Sequence, residues 1–357
     1  MRLELEPRAR RSPALDLLAP IIAFAAALCI GAVMILALGK SPAQAFSVYF
    51  VEPLTQEWSR EAILKKAAPL ILIAIGLSFC FRSNIWNIGA EGQLVVGGAL
   101  GGYVGLLTLG QPDGAIVWVL PAMMLTGALG GLAYALIPAL LRVRFGVSEI
   151  LTSLMLVYVA ELWLDYMVRG PWRARGAFNM PVTDTLDTAA VLPPITAEGL
   201  HAGVLFAPVA VVAAMALLRT LFGFQTRLVG DAARAARFAG FSNARTTVAV
   251  FALSGALAGL AGAAEVSGSL GQLQTTISPG YGFTAIIVAF LGRLAPLGVM
   301  VAGLVMALTF VGGEGAQIAM KLPLDATRAF QGVLLMCVLA ADVVTRYRVR
   351  LRMGEPA

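Results

Sequence analysis

With 357 residues, 59% of them in the AVILMFWYC set before 38 glycines are counted and only 13% charged, the chain lies outside the composition of soluble domains. Those hold roughly 45–50% apolar residues with glycine included; here too few polar side chains remain to cover a soluble surface, so the chain belongs in a bilayer. The formal charge of +6 does not point to nucleic acid, because the basic residues collect in short breaks between apolar runs.

The first run, Leu17 to Leu38, follows the basic stretch "RARR" and resembles a signal peptide at first sight. It is long enough to span ~30 Å of hydrocarbon. A retained first span is therefore expected, preceded by a tail over residues 1–16. Further apolar runs lie near 67–81, 93–108, 115–141, 148–168, 202–221, 247–265, 281–292, 296–312 and 327–344. The expected fold is an all-α polytopic membrane protein of about ten transmembrane helices. The runs at 67–81, 93–108 and 281–292 fall short of the ~17–25 residues of a clean span, which predicts tilted, extended or re-entrant segments.

An even number of spans puts both ends on one side. With that side cytoplasmic, 17 of the 26 basic residues fall inside and 9 outside, in keeping with the positive-inside rule. The tail over 345–357, beginning with the basic "RYRVRLR", is the clearest inner flank. Residues 169–200 form a proline-containing outer loop that either lies over the outer mouth or is a passive connector. The inner loop 222–246 contains "GDAARAARFAG", in which Asp231 is placed to cap a short helix and Gly240 to end it. Such a helix is a docking element or simply positive-inside charge on an ordinary loop.

Gly97, Gly101 and Gly105 recur every fourth position, and Gly127 with Gly131 and Gly255 with Gly259 repeat the spacing, which lets helix backbones approach closely. Cys29, Cys80 and Cys337 sit within apolar runs with no metal spacing and are expected in the core. The one histidine, His201, begins an apolar run and is expected at the surface or interface. "GKS" at 39–41 lacks the earlier glycine of a phosphate loop, which would fall at Met34, so energy for any pumping must come from a partner or an ion gradient. Carboxylates are few: Glu91, Glu149, Glu161, Asp165, Glu265 and Glu314. Glu91 and Glu149 are placed at inner helix starts, where the positive helix end favours them; Glu161 and Asp165 share one face, and none of the six is securely placed at mid-membrane, where a proton- or sodium-coupled transporter would want a carboxylate.

Five stretches in order resemble the ATP-binding-cassette permeases of the branched-chain amino acid, ribose and nucleoside type, closest to their simple-sugar and nucleoside branch. They are "NIWNIGAEGQLVVGG" (Asn84 to Gly98), "RFGVSEILTSLMLVYVA" (Arg144 to Ala160), "TRLVGDAARAARFAGFS" (Thr226 to Ser242), "SGALAGLAG" (Ser254 to Gly262) and "GYGFTAIIVAFLGRLAPLG" (Gly280 to Gly298). The likeness runs from about residue 60 to 345. The chain departs from the family's habit at Val157, at Ser148 before Glu149 and near Thr284, which weakens transfer of any particular substrate.

The resemblance implies one transmembrane permease domain over 1–357, a permease subunit of an ATP-driven importer of nucleosides or simple sugars in a bacterial inner membrane. It implies an ATP-binding-cassette ATPase subunit, a second paralogous permease or a second copy of this chain, and an extracytoplasmic substrate-binding lipoprotein as partners. No cofactor is expected on this chain, since ATP is used by the partner. It also implies that Asn87, Glu91, Gln93 and Glu149 shape the substrate path or inner gate, with turn and helix-start duty as the plainer reading. Asp231, Arg234, Ala235, Arg237, Phe238 and Gly240 would form the segment that couples to the ATPase. An ion-coupled secondary transporter of a small polar solute is the alternative function, and a non-transporting membrane scaffold a more distant one.

Overall fold

Each of the ten apolar runs gives a helix in the computed structural model, which describes residues 2–7, 13–110, 118–176, 178, 180–196 and 199–352. In chain order the elements are β1 (Arg2–Pro7), α1 (Pro13–Ala37), α2 (Pro42–Phe46), a π-helical turn (Ser47–Val51), α3 (Glu52–Thr55), α4 (Glu57–Arg82), α5 (Ala90–Leu106), α6 (Val119–Phe145) and α7 (Glu149–Arg169). After the loop that follows α7 come α8 (Phe206–Leu218), α9 (Leu221–Asp231), α10 (Ala233–Phe238), α11 (Asn243–Glu265), α12 (Tyr281–Leu291), α13 (Pro296–Met320), α14 (Leu324–Arg346) and β2 (Tyr347–Arg352). Parts of the expected tails (residues 8–12 and 353–357) and of the run at 115–141 (residues 115–117) lie outside the described residues.

Among the described residues, α4, α6, α7, α13 and α11 with its continuation to Leu270 are long and apolar enough to cross a membrane. Residues 202–231 make a sixth crossing only if α8 and α9, bent by 76° to each other, count as one. The chain is thus a multi-pass membrane protein. The short run at 67–81 proves to be the C-terminal part of the 26-residue α4, whereas α5 and α12 remain short, at 17 and 11 residues.

The chain divides into two compact units, residues 1–56 with 308–357 and residues 57–307. In the first, the sequence's all-helical expectation is joined by a small antiparallel ribbon: β1 pairs with β2 in a register that sets Arg2 opposite Arg352 and Pro7 opposite Tyr347. Pro42 opens α2 at a position where its missing N–H is no loss. Ala45, Val48, Tyr49, Ala316, Met320 and Leu322 form a buried cluster. Tyr49 reaches the Thr327 hydroxyl at 2.9 Å, so its phenol is buried with a partner.

The second unit is built on small residues. Lipid tails are as apolar as leucine, so helices in a bilayer gain little by hiding apolar surface from water and associate instead through close van der Waals packing. Here α11 packs on α4, α5 and α6. A Cβ built on Gly97 would overlap the Gly259 backbone, one on Gly259 the Gly127 carbonyl oxygen, and one on Gly131 the Gly255 carbonyl oxygen. The glycine spacing legible in the sequence is therefore the α5–α6–α11 seam. Of the three cysteines only Cys80 is in the core, donating to the Val250 carbonyl at 3.3 Å. Cys29 is exposed and Cys337 half-buried. An apolar sequence context cannot distinguish a face turned to protein from one turned to lipid.

His201 also departs from expectation. It is buried, with Nε2 3.2 Å from the Ser269 hydroxyl and Nδ1 without a partner, its ring wedged against Gly203 and Gly268. Burial, and then the charge of Lys65, hold its pKa below the ordinary 6.5. The unfolded chain accepts a proton that the folded chain resists, so stability is full above the unfolded value and declines as pH falls below it. The melting temperature of the purified protein is expected to drop from about pH 7.5 to about pH 5.5, and His201→Gln to flatten that drop. Equal pH slopes for both proteins would show that His201 does not hold this fold closed.

Candidate functional site

The break between α4 and α5 creates the site. α4 ends in a left-handed turn at Asn84 (φ 53°), with the Ile85 amide donating to the Cys80 carbonyl at 3.0 Å and the Asn84 amide to the Phe81 carbonyl at 3.1 Å. Asparagine tolerates that conformation better than most residues, and the paired bonds close the helix end. The chain then runs unwound to Gly89. Unwound backbone at membrane depth needs partners within the protein, and side chains supply them. Trp86 N–H donates to Glu149 Oε1 at 3.4 Å, Ile88 N–H to Ser153 Oγ at 3.2 Å and Gly89 N–H to Asn87 Oδ1 at 3.1 Å.

Asn87 and Gln93 are both buried and exchange reciprocal amide hydrogen bonds, each 3.0 Å, while Asn87 Nδ2 also donates to Ser254 Oγ of α11 at 3.1 Å. Neither is among the residues lining the cavity beside Glu91. They clamp the start of α5. Glu149 is likewise engaged elsewhere, in an ion pair with Arg142 at the start of α7. Asn87, Gln93 and Glu149 therefore all make contacts that hold the turn between α4 and α5.

Glu91 is different. It lies in the first turn of α5, is 2% exposed, and accepts a hydrogen bond from the Gly282 amide of α12 at 2.5 Å. Two short helices therefore begin at this carboxylate, and both present their positive N-terminal ends to it. Beside it is a cavity of about 450 Å³ lined by Glu91, Val95, Tyr158, Glu161, Leu162, Leu164, Asp165 and the segment Thr275–Ser278. Its depth follows from α7: Gly92 packs on the backbone of Leu156 and Val157. Val157 is eight residues into a 21-residue helix, ~12 Å along an axis of ~31 Å at 1.5 Å per residue. Glu91 thus begins α5, as expected, and lies level with the middle part of a span-length helix.

Sequence reasoning placed Glu161 and Asp165 on one face but assigned them no role. They line the cavity with Glu91, and Asp165 also pairs with Arg169 through two bonds of 2.8 and 2.9 Å. The available signal was that carboxylates inside a spanning helix are costly unless they face a cavity or a partner. The Thr275–Ser278 wall is tied to the loop between α7 and α8: Thr183 N–H donates to the Leu273 carbonyl and Leu273 N–H to the Thr183 hydroxyl, each at 3.0 Å, two residues before Thr275.

In the segment expected to couple to the ATPase the structure corrects one assignment. Asp231 is the last residue of α9, not a cap; Ala232 occupies the N-cap of α10 with no side-chain bond. An alanine with φ −150° and ψ 73° breaks the helix there, so no cap was needed to start a new one. Gly240 does end α10, at φ 85°, with Phe241 N–H donating to Ala236 O at 2.9 Å and Gly240 N–H to Arg237 O at 3.0 Å. Arg234, Ala235 and Arg237 are exposed, and Phe238 is 95% exposed.

A protein-family profile described as the permease component of the branched-chain amino acid transport system matches residues 59–339. A glucose ABC transporter permease protein of Haloferax volcanii is 38% identical over 98% of this chain and 94% of its own length. A guanosine ABC transporter permease protein of Bacillus subtilis is 28% identical over 95% of this chain and 96% of its own. A nucleoside ABC transporter permease protein of Lactococcus lactis is 28% identical over 84% of each. No solved structure matches the chain.

Proposed function

Because the chain belongs to the permease-component family of the branched-chain amino acid transport systems, in its sugar and nucleoside branch, and is the permease subunit of an importer, we propose that it carries a neutral sugar or nucleoside past Glu91. The observation that carries this reading is the cavity beside Glu91 and the middle of α7. Three carboxylates, a tyrosine and hydroxyl-bearing Thr275, Thr276 and Ser278 surround it, a lining of hydrogen-bond acceptors suited to solute hydroxyls. The exposed cavity face of α7, with Glu161 and Leu162, is completed by a second permease, paralogous or identical. An ATP-binding-cassette ATPase supplies the energy and an extracytoplasmic binding lipoprotein delivers the solute. Both termini face the cytoplasm of a bacterial inner membrane; the 17-to-9 charge asymmetry and the pairing of β1 with β2, which keeps the two ends together, support this orientation.

The test is uptake of a panel of sugars and nucleosides into proteoliposomes, with and without the ATPase, ATP and the binding protein. Uptake that requires all three is expected. Gradient-driven uptake by the chain alone would replace this reading with an ion-coupled one.

The exposed α10 is the docking element for the ATPase. Phe238 and Ala235 supply its apolar contact, with Arg234 and Arg237 as polar handles. Ala235→Glu should reduce co-purification of the ATPase far more than Arg234→Ala, since an exposed ion pair contributes only ~0–1 kcal/mol. Equal recovery for both variants would place the docking surface elsewhere.

A further inference from the structure

The residue that joins the cytoplasmic segment to the cavity is Arg82. Its Nε and Nη2 both donate to the Leu294 carbonyl oxygen, at 3.1 and 2.6 Å. That carbonyl belongs to the turn between α12 and α13, where Arg293 and Leu294 stand at φ 54° and 58°, a left-handed pair that non-glycine residues adopt only when held. Arg82 is also the last residue of α4, from which the unwound stretch leads to α5 and Glu91. One side chain and its backbone therefore hold the rear connections of both short helices that meet at Glu91. The front connection is the Gly282-to-Glu91 hydrogen bond.

The last turn of α9 rests directly on this residue. A Cβ built on Gly230 would overlap the Arg82 carbonyl oxygen and stand 3.1 Å from the Ser83 Cα. Gly230 is two residues from Ala232, the break at which α9 passes into α10. Arg227, one turn earlier on α9, sets a second positive charge near Arg82. The contact is backbone against backbone, with no flexible side chain to absorb a displacement, so a shift of α9 is passed to Arg82 rather than dissipated.

We propose that the Gly230–Arg82–Leu294 junction transmits movement of the cytoplasmic segment to the Glu91 cavity, turning α5 and α12 together. This rests on the permease reading and on α10 as the ATPase docking element. Arg82 and Gly230 are positioning residues; neither lines the cavity.

The test uses the full complex with ATPase and binding protein in proteoliposomes, measuring solute moved per ATP hydrolysed. Gly230→Ala and Arg82→Gln should each lower that ratio about tenfold, within the range of coupling between distant sites. Because they act on one junction, the double variant should lose about tenfold too, not about a hundredfold. Arg82→Lys keeps the charge but not the two-donor grip, and should lose coupling if Arg82→Gln does not assemble. A second readout is a cysteine at Thr276, in a background with Cys29, Cys80 and Cys337 replaced by alanine. Its labelling should differ between ATP-bound and nucleotide-free wild-type complex, and that difference should vanish in Gly230→Ala. A wild-type ratio in Gly230→Ala or Arg82→Lys, or a nucleotide-dependent label that survives Gly230→Ala, overturns the junction. A wild-type complex showing no ATP-coupled transport would instead remove the permease reading beneath it.

Discussion

Gly259→Leu should abolish recovery of the folded permease. Gly259 sits where α11 crosses α6, against the Gly127 carbonyl and the Gly131 backbone, and Gly97 of α5 closes on it from the other side. Atoms of the main chain cannot rotate out of the way, so a leucine there must drive three helices apart. Overpacking in a dense interior costs about 1–3 kcal/mol when side chains can adjust, and more when backbone must move; here about 3 kcal/mol or more is expected, comparable with the ~5–15 kcal/mol stability of a whole domain. Size-exclusion recovery and thermal melting in detergent measure it. Gly259→Ala should lower the melting temperature by a smaller step, and Gly271→Ala, where the glycine has open space but a left-handed φ of 65°, should act by backbone strain alone. A Gly259→Leu protein that melts like the wild type would mean the seam is not closed.

Glu91→Gln should leave an assembled complex that transports poorly. Glutamine has the same shape and keeps an oxygen able to accept from the Gly282 amide, so the junction of α5 and α12 is preserved. What is lost is a carboxylate on the cavity wall. Hydrogen bonds to a charged group are worth ~1.5–3 kcal/mol, about tenfold or more in uptake per complex. Helix-start duty alone predicts a loss of only ~0.3–1 kcal/mol in stability with normal uptake. Uptake normalised to assembled complex separates the two, and a wild-type value would return Glu91 to the structural role that Asn87 and Gln93 hold.

Much of the fold was legible because its causes are local. The apolar runs became helices since the bilayer leaves backbone no other way to satisfy itself within one segment. Gly240 ended α10 because a left-handed residue was needed there and glycine adopts it freely. The resemblance to importer permeases was equally readable, since it lay in five ordered stretches. Polar residues near Glu91 were picked out for their rarity in apolar surroundings, but rarity did not distinguish their tasks. Asn87, Gln93 and Glu149 are as polar as Glu91, yet they satisfy each other, Ser254 or Arg142.

By itself, then, the sequence determined a multi-pass helical membrane protein with close glycine packing and a short basic helix between longer ones. Composition, period and spacing are properties of neighbours along the chain. Tertiary structure alone decided that Glu91 lies level with the middle part of α7, that Glu161 and Asp165 share its cavity, that His201 is buried, and that Gly230 presses on Arg82. Those outcomes depend on where α4 unwinds and on which residues far apart in sequence come to touch. Contacts such as Gly230 with Arg82, or Gly282 with Glu91, are set by how helices cross, and no local pattern records that.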